Sequence, residues 1–197
     1  GMGGDMSDIQ ILDTTLRDGT QGEGISLSLD DKLAVARRLD DFGIHYIEAG
    51  WPASNPKDTE FFAAAASLRL RTARLTAFGS TRHKFHRAEE DDGLKGLAAA
   101  KAPVACIFGK AWDFHVREAL QAPLEENLAM IVDSVRFLKS HGKETIFDAE
   151  HFFDGFKSNA DYALESLRAA EKAGAAWIVL CDTNGGALSE EVAAAVR

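Results

Sequence analysis

The sequence predicts an α/β protein in which a parallel sheet is built from βα units. Short apolar runs rich in β-branched residues alternate with amphipathic stretches of helical period, which is the pattern of such units. Successive runs begin 29 to 42 residues apart, close to the roughly 30 residues that one βαβ unit occupies. Six runs are predicted to be strands: Ile9–Leu16, Ile44–Gly50, Arg74–Ser80, Pro103–Lys110, Thr145–Phe152 and Ala175–Thr183.

The stretches between the runs carry the end signals of helices. Ser28 and Asp31 have the spacing of a capping box, and Gly43 follows at the point where a left-handed residue ends a helix. Asn55 before Pro56 predicts a second helix start, because the amide caps and proline suits the first helical position. Later helix ends are predicted at Glu89–Asp92, His141-Gly142, Ser158-Asn159, Gly174 and Ser189.

Chain length leaves two architectures open. A closed (β/α)₈ barrel, the TIM barrel, typically needs about 250 residues, whereas this chain of 197 residues supplies about six βα units. The sheet is therefore either open and doubly wound, or part of a barrel whose strands 7 and 8 are absent. We assign residues 1–8 to a tag remnant and disordered N-terminus, and 9–197 to the α/β unit.

Composition excludes several classes of function. The 22 Lys and Arg residues against 31 Asp and Glu give a net charge of −9, so no basic surface for nucleic acid is expected. An apolar share of 46% fits a globular core, and no apolar run reaches the roughly 18 residues of a membrane span. We expect a cytoplasmic protein without membrane or nucleic-acid partners. Cys106 and Cys181 lie in apolar runs and are expected to be free thiols.

Polar side chains follow every predicted strand. Ligands of both candidate architectures bind beyond the carboxyl ends of the strands, so these positions are the candidate site. At the first of them, Arg17 and Asp18 both aim at one site only if the strand ends there, and Gly19 permits such a turn. An arginine fork suits a carboxylate or enolate oxygen, an aspartate suits a hard divalent cation, and Glu48 at the next strand end is well placed to hold Arg17.

The motif Asp13-Thr14-Thr15-Leu16-Arg17-Asp18-Gly19, together with Glu48, resembles the signature of a known enzyme family. This is the pyruvate-carboxyltransferase-like family (DRE-TIM metallolyases), which includes isopropylmalate, homocitrate and citramalate synthases and hydroxymethylglutaryl-CoA lyases. Three further motifs look most like the citramalate synthase branch: Gly50-Trp51-Pro52-Ala53-Ser54-Asn55-Pro56-Lys57-Asp58, Phe147-Asp148-Ala149-Glu150-His151-Phe152-Phe153-Asp154-Gly155 and Cys181-Asp182-Thr183-Asn184-Gly185-Gly186.

The resemblance implies a TIM barrel and an acyltransferase that condenses acetyl-CoA with pyruvate to give citramalate. It implies that Asp18 binds a divalent metal, Mg²⁺ or Mn²⁺ with Zn²⁺ as a further option. It also implies that Arg17 stabilises the enolate oxygen and that Glu48 orients Arg17. Thr183 and Arg17 would hold the carboxylate of the 2-oxo acid, and Glu150 would line the acetyl-CoA side. Further candidates for substrate binding are Gln21 and Asn184. The general base is either Glu150 or a residue outside this chain.

The chain departs from the family in one respect that bears on activity. The family completes its metal site with a His-x-His pattern on the seventh strand, and none of the six histidines forms that pattern. We therefore expect the 197 residues alone to be inactive. We also expect the complete protein to be a homodimer. The alternatives are an isopropylmalate synthase, a hydroxyacyl-CoA lyase of the same family, and a non-catalytic binding or assembly domain.

Overall fold

Two sets of parallel strands carry the fold in this computed structural model, which describes residues 9–197. The chain divides into two compact units, whose described parts are 9–78 with 100–103 and 79–99 with 104–197. The predicted tag remnant and disordered N-terminus, 1–8, lie outside the described residues. Within 9–197, the helices are too short or too polar to cross a membrane.

The first unit contains three parallel strands in the order of the sequence, with the first paired to the second and the second to the third. All five residues of the middle strand are buried, as expected for a parallel strand that is covered on both faces. The last two residues of the third strand belong to the second unit. The elements are β1 (Leu12–Asp13), α1 (Leu29–Phe42), β2 (Tyr46–Gly50), α2 (Pro56–Ala65) and β3 (Arg74–Ser80).

The predicted helix caps of this unit are present. The Ser28 hydroxyl accepts a hydrogen bond from the Asp31 N–H at 3.1 Å, and the Asp31 carboxylate accepts from the Ser28 N–H at 3.0 Å, which completes the capping box. Gly43 ends α1 with φ of 93°. At α2 the Asn55 side chain accepts from the Lys57 N–H at 3.0 Å. These ends are encoded locally because each partner lies within three residues.

A buried carboxylate ties α1 to the segment before β3. Asp40 is 5% exposed, and its two oxygens accept the N–H groups of Arg71, Thr72 and Ala73, each at 2.7 Å. Burial alone would raise the pKa of Asp40, but the three N–H donors and the positive charge of Arg71 outweigh it, so the pKa is lowered. Asp40 is therefore a charged structural anchor of the first unit.

The second unit contains the other three parallel strands, again in the order of the sequence. Its first two strands pair along their whole length, from Val104 with Glu144 to Lys110 with Glu150. A 3₁₀ turn, Ala88–Glu90, precedes its first helix. The elements are α3 (Asp92–Ala99), β4 (Val104–Lys110), α4 (Asp113–His115), α5 (Leu124–Ser140), β5 (Glu144–Glu150), α6 (Phe152–Ser158), α7 (Ala160–Ala173), β6 (Trp177–Leu180) and α8 (Ser189–Val196).

Two short helices of this unit have no counterpart in the prediction. The helix α4, continued by a π-helical turn over Val116–Leu120, follows β4, and α6 follows β5. The predicted strand Thr145–Phe152 stops at Glu150 because Phe152 already begins α6. The side chain of Phe152 is fully buried, and its ring stacks on Phe156 at 5.6 Å between centroids. The two rings pack against each other, and the helix that Phe152 begins ends the strand early.

Candidate functional site

The chain turns sharply after β1, which brings its predicted site residues to the end of that strand. Residues 9–16 were predicted to be extended, but the strand ends at Asp13, whose carboxylate accepts the N–H and the hydroxyl of Thr15, both at 3.0 Å. The Thr14 carbonyl then accepts the N–H groups of residues 17, 18 and 19. Gly19 begins a 3₁₀ helix, so the predicted turn forms without a left-handed glycine.

The Arg17 guanidinium is fixed on two sides. Its Nε and Nη2 both lie 2.8 Å from Glu48 Oε1, and its Cζ lies 3.8 Å from the centroid of the Phe78 ring. The Glu48 side chain is only 1% exposed and that of Arg17 is 17% exposed. A carboxylate at one edge and an aromatic face below hold the planar cation in one orientation. Glu48 therefore holds Arg17, as the sequence predicted.

Asp18 and Gln21 lie on the exposed side of the same turn. Arg17 Nη1 is 3.4 Å from Asp18 Oδ1, and the Asp18 side chain is 64% exposed. Gln21 ends the 3₁₀ helix and is also exposed. The edge of the guanidinium that Glu48 does not hold therefore faces the carboxylate predicted to bind metal. Asp18 therefore lies at the surface of the turn, beside the largely buried Arg17.

A second carboxylate shapes the loop that follows β2. Asp58, on α2, accepts the Trp51 N–H at 2.8 Å and lies 3.6 Å from the Lys32 ammonium. The Trp51 ring meets the Phe78 ring edge to face at 5.3 Å, so the tryptophan packs against the ring that lies under Arg17. A Cβ at Gly50 would come within 2.6 Å of the Asp58 side chain. Glycine is therefore required where β2 ends.

In the second unit, Glu150 forms an ion pair at the ends of two neighbouring strands. Lys110 Nζ is 2.6 Å from Glu150 Oε2, because the two residues are directly paired in the β4–β5 register. The buried Asn127 amide donates to the Lys110 carbonyl at 2.8 Å and to the Tyr162 hydroxyl at 2.9 Å. Burial raises the pKa of Tyr162 to about 12. This neutral network fixes the end of β4 and thereby the lysine that holds Glu150.

Thr183 and Asn184 are both connected to His151, the residue that follows Glu150. The His151 N–H donates to Thr183 Oγ1 at 2.8 Å, and His151 Nδ1 lies 3.1 Å from Asp154 Oδ2. That same oxygen accepts the Asn184 amide at 2.8 Å. Two candidate substrate-binding side chains after β6 are therefore connected to the end of β5.

His115 packs beside this group as a neutral ring. Its ring centroid is 4.5 Å from those of Trp112 and His151. Burial is the main cause that lowers the pKa of His115, and the nearby His151 and Lys110 lower it further, against the opposing effect of two carboxylates. Its Nδ1 is buried and has no hydrogen-bond partner among residues 9–197. A proton added there would be an unpaired buried donor.

Each compact unit thus holds part of the predicted site. The first contains Arg17, Asp18, Glu48 and Gln21, and the second contains Glu150, Thr183 and Asn184. That the two groups face one ligand stays a prediction. Sequence reasoning did not assign the contacts of four residues: Phe78, Lys110, His115 and Asp154. Only the last had a local signal, the i, i+3 spacing from His151 at a helix start.

A protein-family model described as HMGL-like matches residues 8–197, nearly the whole chain. The chain belongs to the HMGL-like family. The (R)-citramalate synthase of Aquifex aeolicus is 58% identical over 184 residues, which are 93% of this chain and 35% of that protein. Curated (R)-citramalate synthases from four other organisms are 51–53% identical. The probable 2-isopropylmalate synthase of Methanopyrus kandleri is 34% identical over 90% of this chain and 33% of that protein.

Solved structures identify the architecture. The HMG-CoA lyase of Acinetobacter baumannii, in complex with coenzyme A and 3-methylmalate, has a TM-score of 0.75 at 20% identity over 98% of this chain and 63% of that chain. The Bacillus subtilis HMG-CoA lyase gives 0.74 at 19% identity over 95% of this chain and 62% of that one. At these identities the likeness shows the fold alone. The chain has the fold of a partial TIM barrel, as the sequence predicted, and not an open doubly wound sheet.

The chain spans about a third of the length of the curated relatives that it matches. The family depends on a divalent metal. The family model and the solved structures establish the family and the fold of this chain.

Proposed function

We propose that this chain supplies six βα units, residues 9–197, of the catalytic barrel of an acyltransferase that condenses acetyl-CoA with pyruvate. The condensation forms the new carbon–carbon bond, and one water then cleaves the thioester, so the products are citramalate and free CoA; the reaction serves the synthesis of branched-chain amino acids. The observation that carries the proposal is the difference in identity, 58% to a citramalate synthase against 34% to a probable isopropylmalate synthase. The geometry at the strand ends supports it.

Arg17 is proposed to stabilise the negative charge that develops in the reaction. A Claisen-type condensation develops negative charge on an enolate oxygen, and a preorganised cation at that oxygen lowers the barrier. Glu48 and Phe78 hold the guanidinium in place before the substrate arrives, so little reorganisation is needed. Glu48 acts through Arg17 and is a positioning residue.

Thr183, with Arg17, is proposed to hold the carboxylate of the 2-oxo acid. A hydroxyl that already accepts a main-chain N–H still has its own proton to donate. A negatively charged group is the natural acceptor for that proton and for a guanidinium. We propose Asn184 and Gln21 as further substrate contacts, since each carries an exposed amide that can donate and accept hydrogen bonds.

Glu150 is proposed to line the acetyl-CoA side. Its carboxylate is fixed at the end of β5 by Lys110, which gives it a defined position for proton transfer from the thioester methyl group. The alternative is a base supplied by chain outside these residues, in which case Glu150 only contacts the thioester.

Asp18 fits the metal that the family requires. Its carboxylate is a hard oxygen donor, and 64% of the side chain is open to solvent, so a cation reaches it without displacing the core. A divalent ion bound there, Mg²⁺ or Mn²⁺ or else Zn²⁺, would polarise the ketone as a Lewis acid. One carboxylate does not hold such an ion tightly, so additional ligands are required. We also propose a homodimer of the complete protein and a cytoplasmic location.

The test is release of free CoA thiol by the complete protein with acetyl-CoA and either pyruvate or 2-oxoisovalerate. We expect pyruvate to be preferred, and we expect Asp18→Asn to abolish turnover. Asp41→Asn is the matched control, because Asp41 is an exposed aspartate on α1; it should leave turnover unchanged.

Other results identify the alternatives. Strong preference for 2-oxoisovalerate would indicate an isopropylmalate synthase, and cleavage of a hydroxyacyl-CoA without condensation would indicate a lyase. If neither reaction occurs, calorimetric titration with Mn²⁺ and pyruvate separates an enzyme with another substrate from a non-catalytic domain. Normal turnover in Asp18→Asn would remove Asp18 from the mechanism.

A further inference from the structure

His151 has a backbone conformation that few non-glycine residues adopt. Its φ is 54° and its ψ is 36°, in the left-handed region, which is uncommon for L-residues even though asparagine, aspartate and histidine enter it more often than the others. The residue lies between the end of β5 and the start of α6. Strained non-glycine residues of this kind persist where surrounding contacts fix them, and they cluster at functional sites.

The main chain of His151 fixes one candidate binding residue. Its N–H points at Thr183 Oγ1, 2.8 Å away and 32 positions further along the chain. A hydroxyl that accepts this hydrogen bond retains its proton as a donor. The bond therefore sets both the position of the Thr183 hydroxyl and its role, which is to donate to an acceptor such as a carboxylate.

The imidazole of His151 fixes a second candidate binding residue, Asn184, by way of Asp154. Because a carboxylate only accepts hydrogen bonds, the contact between Nδ1 and Asp154 Oδ2 at 3.1 Å places the proton on Nδ1. The same oxygen accepts the Asn184 amide at 2.8 Å. One carboxylate oxygen thus joins the histidine ring to the asparagine, and the order of contacts is His151 to Asp154 to Asn184.

The ring of His151 is itself held from the other side. It is 12% exposed, and its centroid lies 4.5 Å from that of His115, edge to face, and 5.9 Å from that of Trp112. A flanking pair of rings restricts rotation of the imidazole about χ2. The residue is therefore fixed at three points: the main chain, Nδ1 and the ring face.

We propose that His151 is a positioning residue that orients Thr183 and Asn184 together toward the carboxylate of the substrate. It does so through two separate connections, the N–H to Thr183 and the imidazole through Asp154 to Asn184. The proposal rests on the proposed function, because that function supplies the carboxylate. It adds that a single residue after β5 sets the recognition geometry after β6.

The first test does not depend on activity. Amide hydrogen exchange at His151 is followed at residue resolution in the complete protein, in Thr183→Val and in Thr183→Ser. The valine variant lacks the acceptor, so exchange at His151 should become about tenfold faster, the factor that one hydrogen bond is worth. The serine variant keeps the oxygen and should exchange at the parental rate. Unchanged exchange in Thr183→Val would overturn the main-chain connection.

The second test separates the two connections by kinetics. His151→Gly keeps the left-handed backbone, and with it the N–H to Thr183, but removes the imidazole. We expect its KM for pyruvate to rise roughly tenfold while its KM for acetyl-CoA stays unchanged. In an Asn184→Ala background, His151→Gly should have no further effect, because the imidazole acts through Asn184. Thr183→Val should add its full effect to that of His151→Gly. Full additivity of His151→Gly with Asn184→Ala would overturn the imidazole connection.

Two controls keep these outcomes decisive. Gln121 is the matched control, since it is an exposed non-glycine residue with φ of 52° in the same unit; Gln121→Gly should leave both KM values unchanged. Should His151→Gly fail to fold, His151→Asn takes its place, because asparagine tolerates the left-handed region. Absence of turnover with every 2-oxo acid would count against the proposed function, while the exchange test still decides whether His151 holds Thr183.

Discussion

Replacement of the carboxylate that holds Arg17 is the sharpest test of the site geometry. In Glu48→Gln the side chain keeps its shape and one oxygen, but it loses the negative charge opposite a guanidinium that is 17% exposed. The Nε and Nη2 groups, each 2.8 Å from Glu48 Oε1, would then face a neutral amide. The Phe78 ring still covers the planar face of the guanidinium but supplies no counter-charge.

The size of the effect follows from burial. A hydrogen bond to a charged group in a protein is worth about 1.5–3 kcal/mol, and removal of one partner of a buried ion pair costs about 3–5 kcal/mol. Glutamine still offers one acceptor, so Glu48→Gln should lower the free energy of unfolding by roughly 2 kcal/mol. Glu48→Ala leaves the cation unpaired and should cost about 4 kcal/mol.

The assay is urea denaturation of the complete protein followed by far-UV circular dichroism. Glu60→Gln is the matched control, because Glu60 is an exposed glutamate on α2, and it should change stability by less than about 0.5 kcal/mol. Arg17→Met combined with Glu48→Met should recover part of the loss, since both charges are then gone. If Glu48→Gln were as harmless as Glu60→Gln, Glu48 would not be holding Arg17.

Other buried contacts give three further expectations. Asp40→Asn should lower the free energy of unfolding by roughly 3 kcal/mol at pH 7. Because three N–H donors outweigh burial and lower the pKa of Asp40, the stability that its carboxylate adds is present above pH 3.8 and is lost as the pH falls through the lowered pKa. Urea midpoints measured from pH 7 to pH 3 would show this loss. Gly155→Ala would place its Cβ against a main-chain carbonyl oxygen and should lower the free energy of unfolding by about 3 kcal/mol. Gly186→Ala, whose Cβ meets open space, should change it by no more than about 0.5 kcal/mol. Equal thermal midpoints for the two variants would contradict this. Burial lowers the pKa of His115 from 6.5, so the unfolded chain takes up the proton first and stability should fall as pH drops below 6.5; a His115→Phe variant with the same decline in thermal midpoint would refute that origin.

Local signals in the sequence gave the most accurate parts of the fold. The capping box at Ser28, the left-handed ends at Gly43 and Gly174, and the full extent of β3 all agree with the structure. Each depends on residues within a few positions of one another, or on one uninterrupted apolar run. Such features need no knowledge of the partner element.

Errors arose where an element is shorter than its apolar run or too short to show a period. The strand β1 was predicted over eight residues and has two, since the Asp13 carboxylate accepts a hydrogen bond from the Thr15 N–H and the chain turns there. The helices α4 and α6 were missed because their apolar residues are too few to show a helical period. At the site, Phe78 gave no signal beyond that of a strand residue, and its place under Arg17 depends on the packing of β3.

The sequence by itself determined the family, the order of βα units and the residue types at the strand ends, because apolar periodicity and contiguous motifs are written along one chain. The tertiary structure alone decided which charges meet. Lys110 is paired with Glu150 by strand register across 40 positions, and His151 reaches Thr183 through a left-handed backbone. Contacts between distant residues depend on register and on backbone angles, which no local pattern specifies.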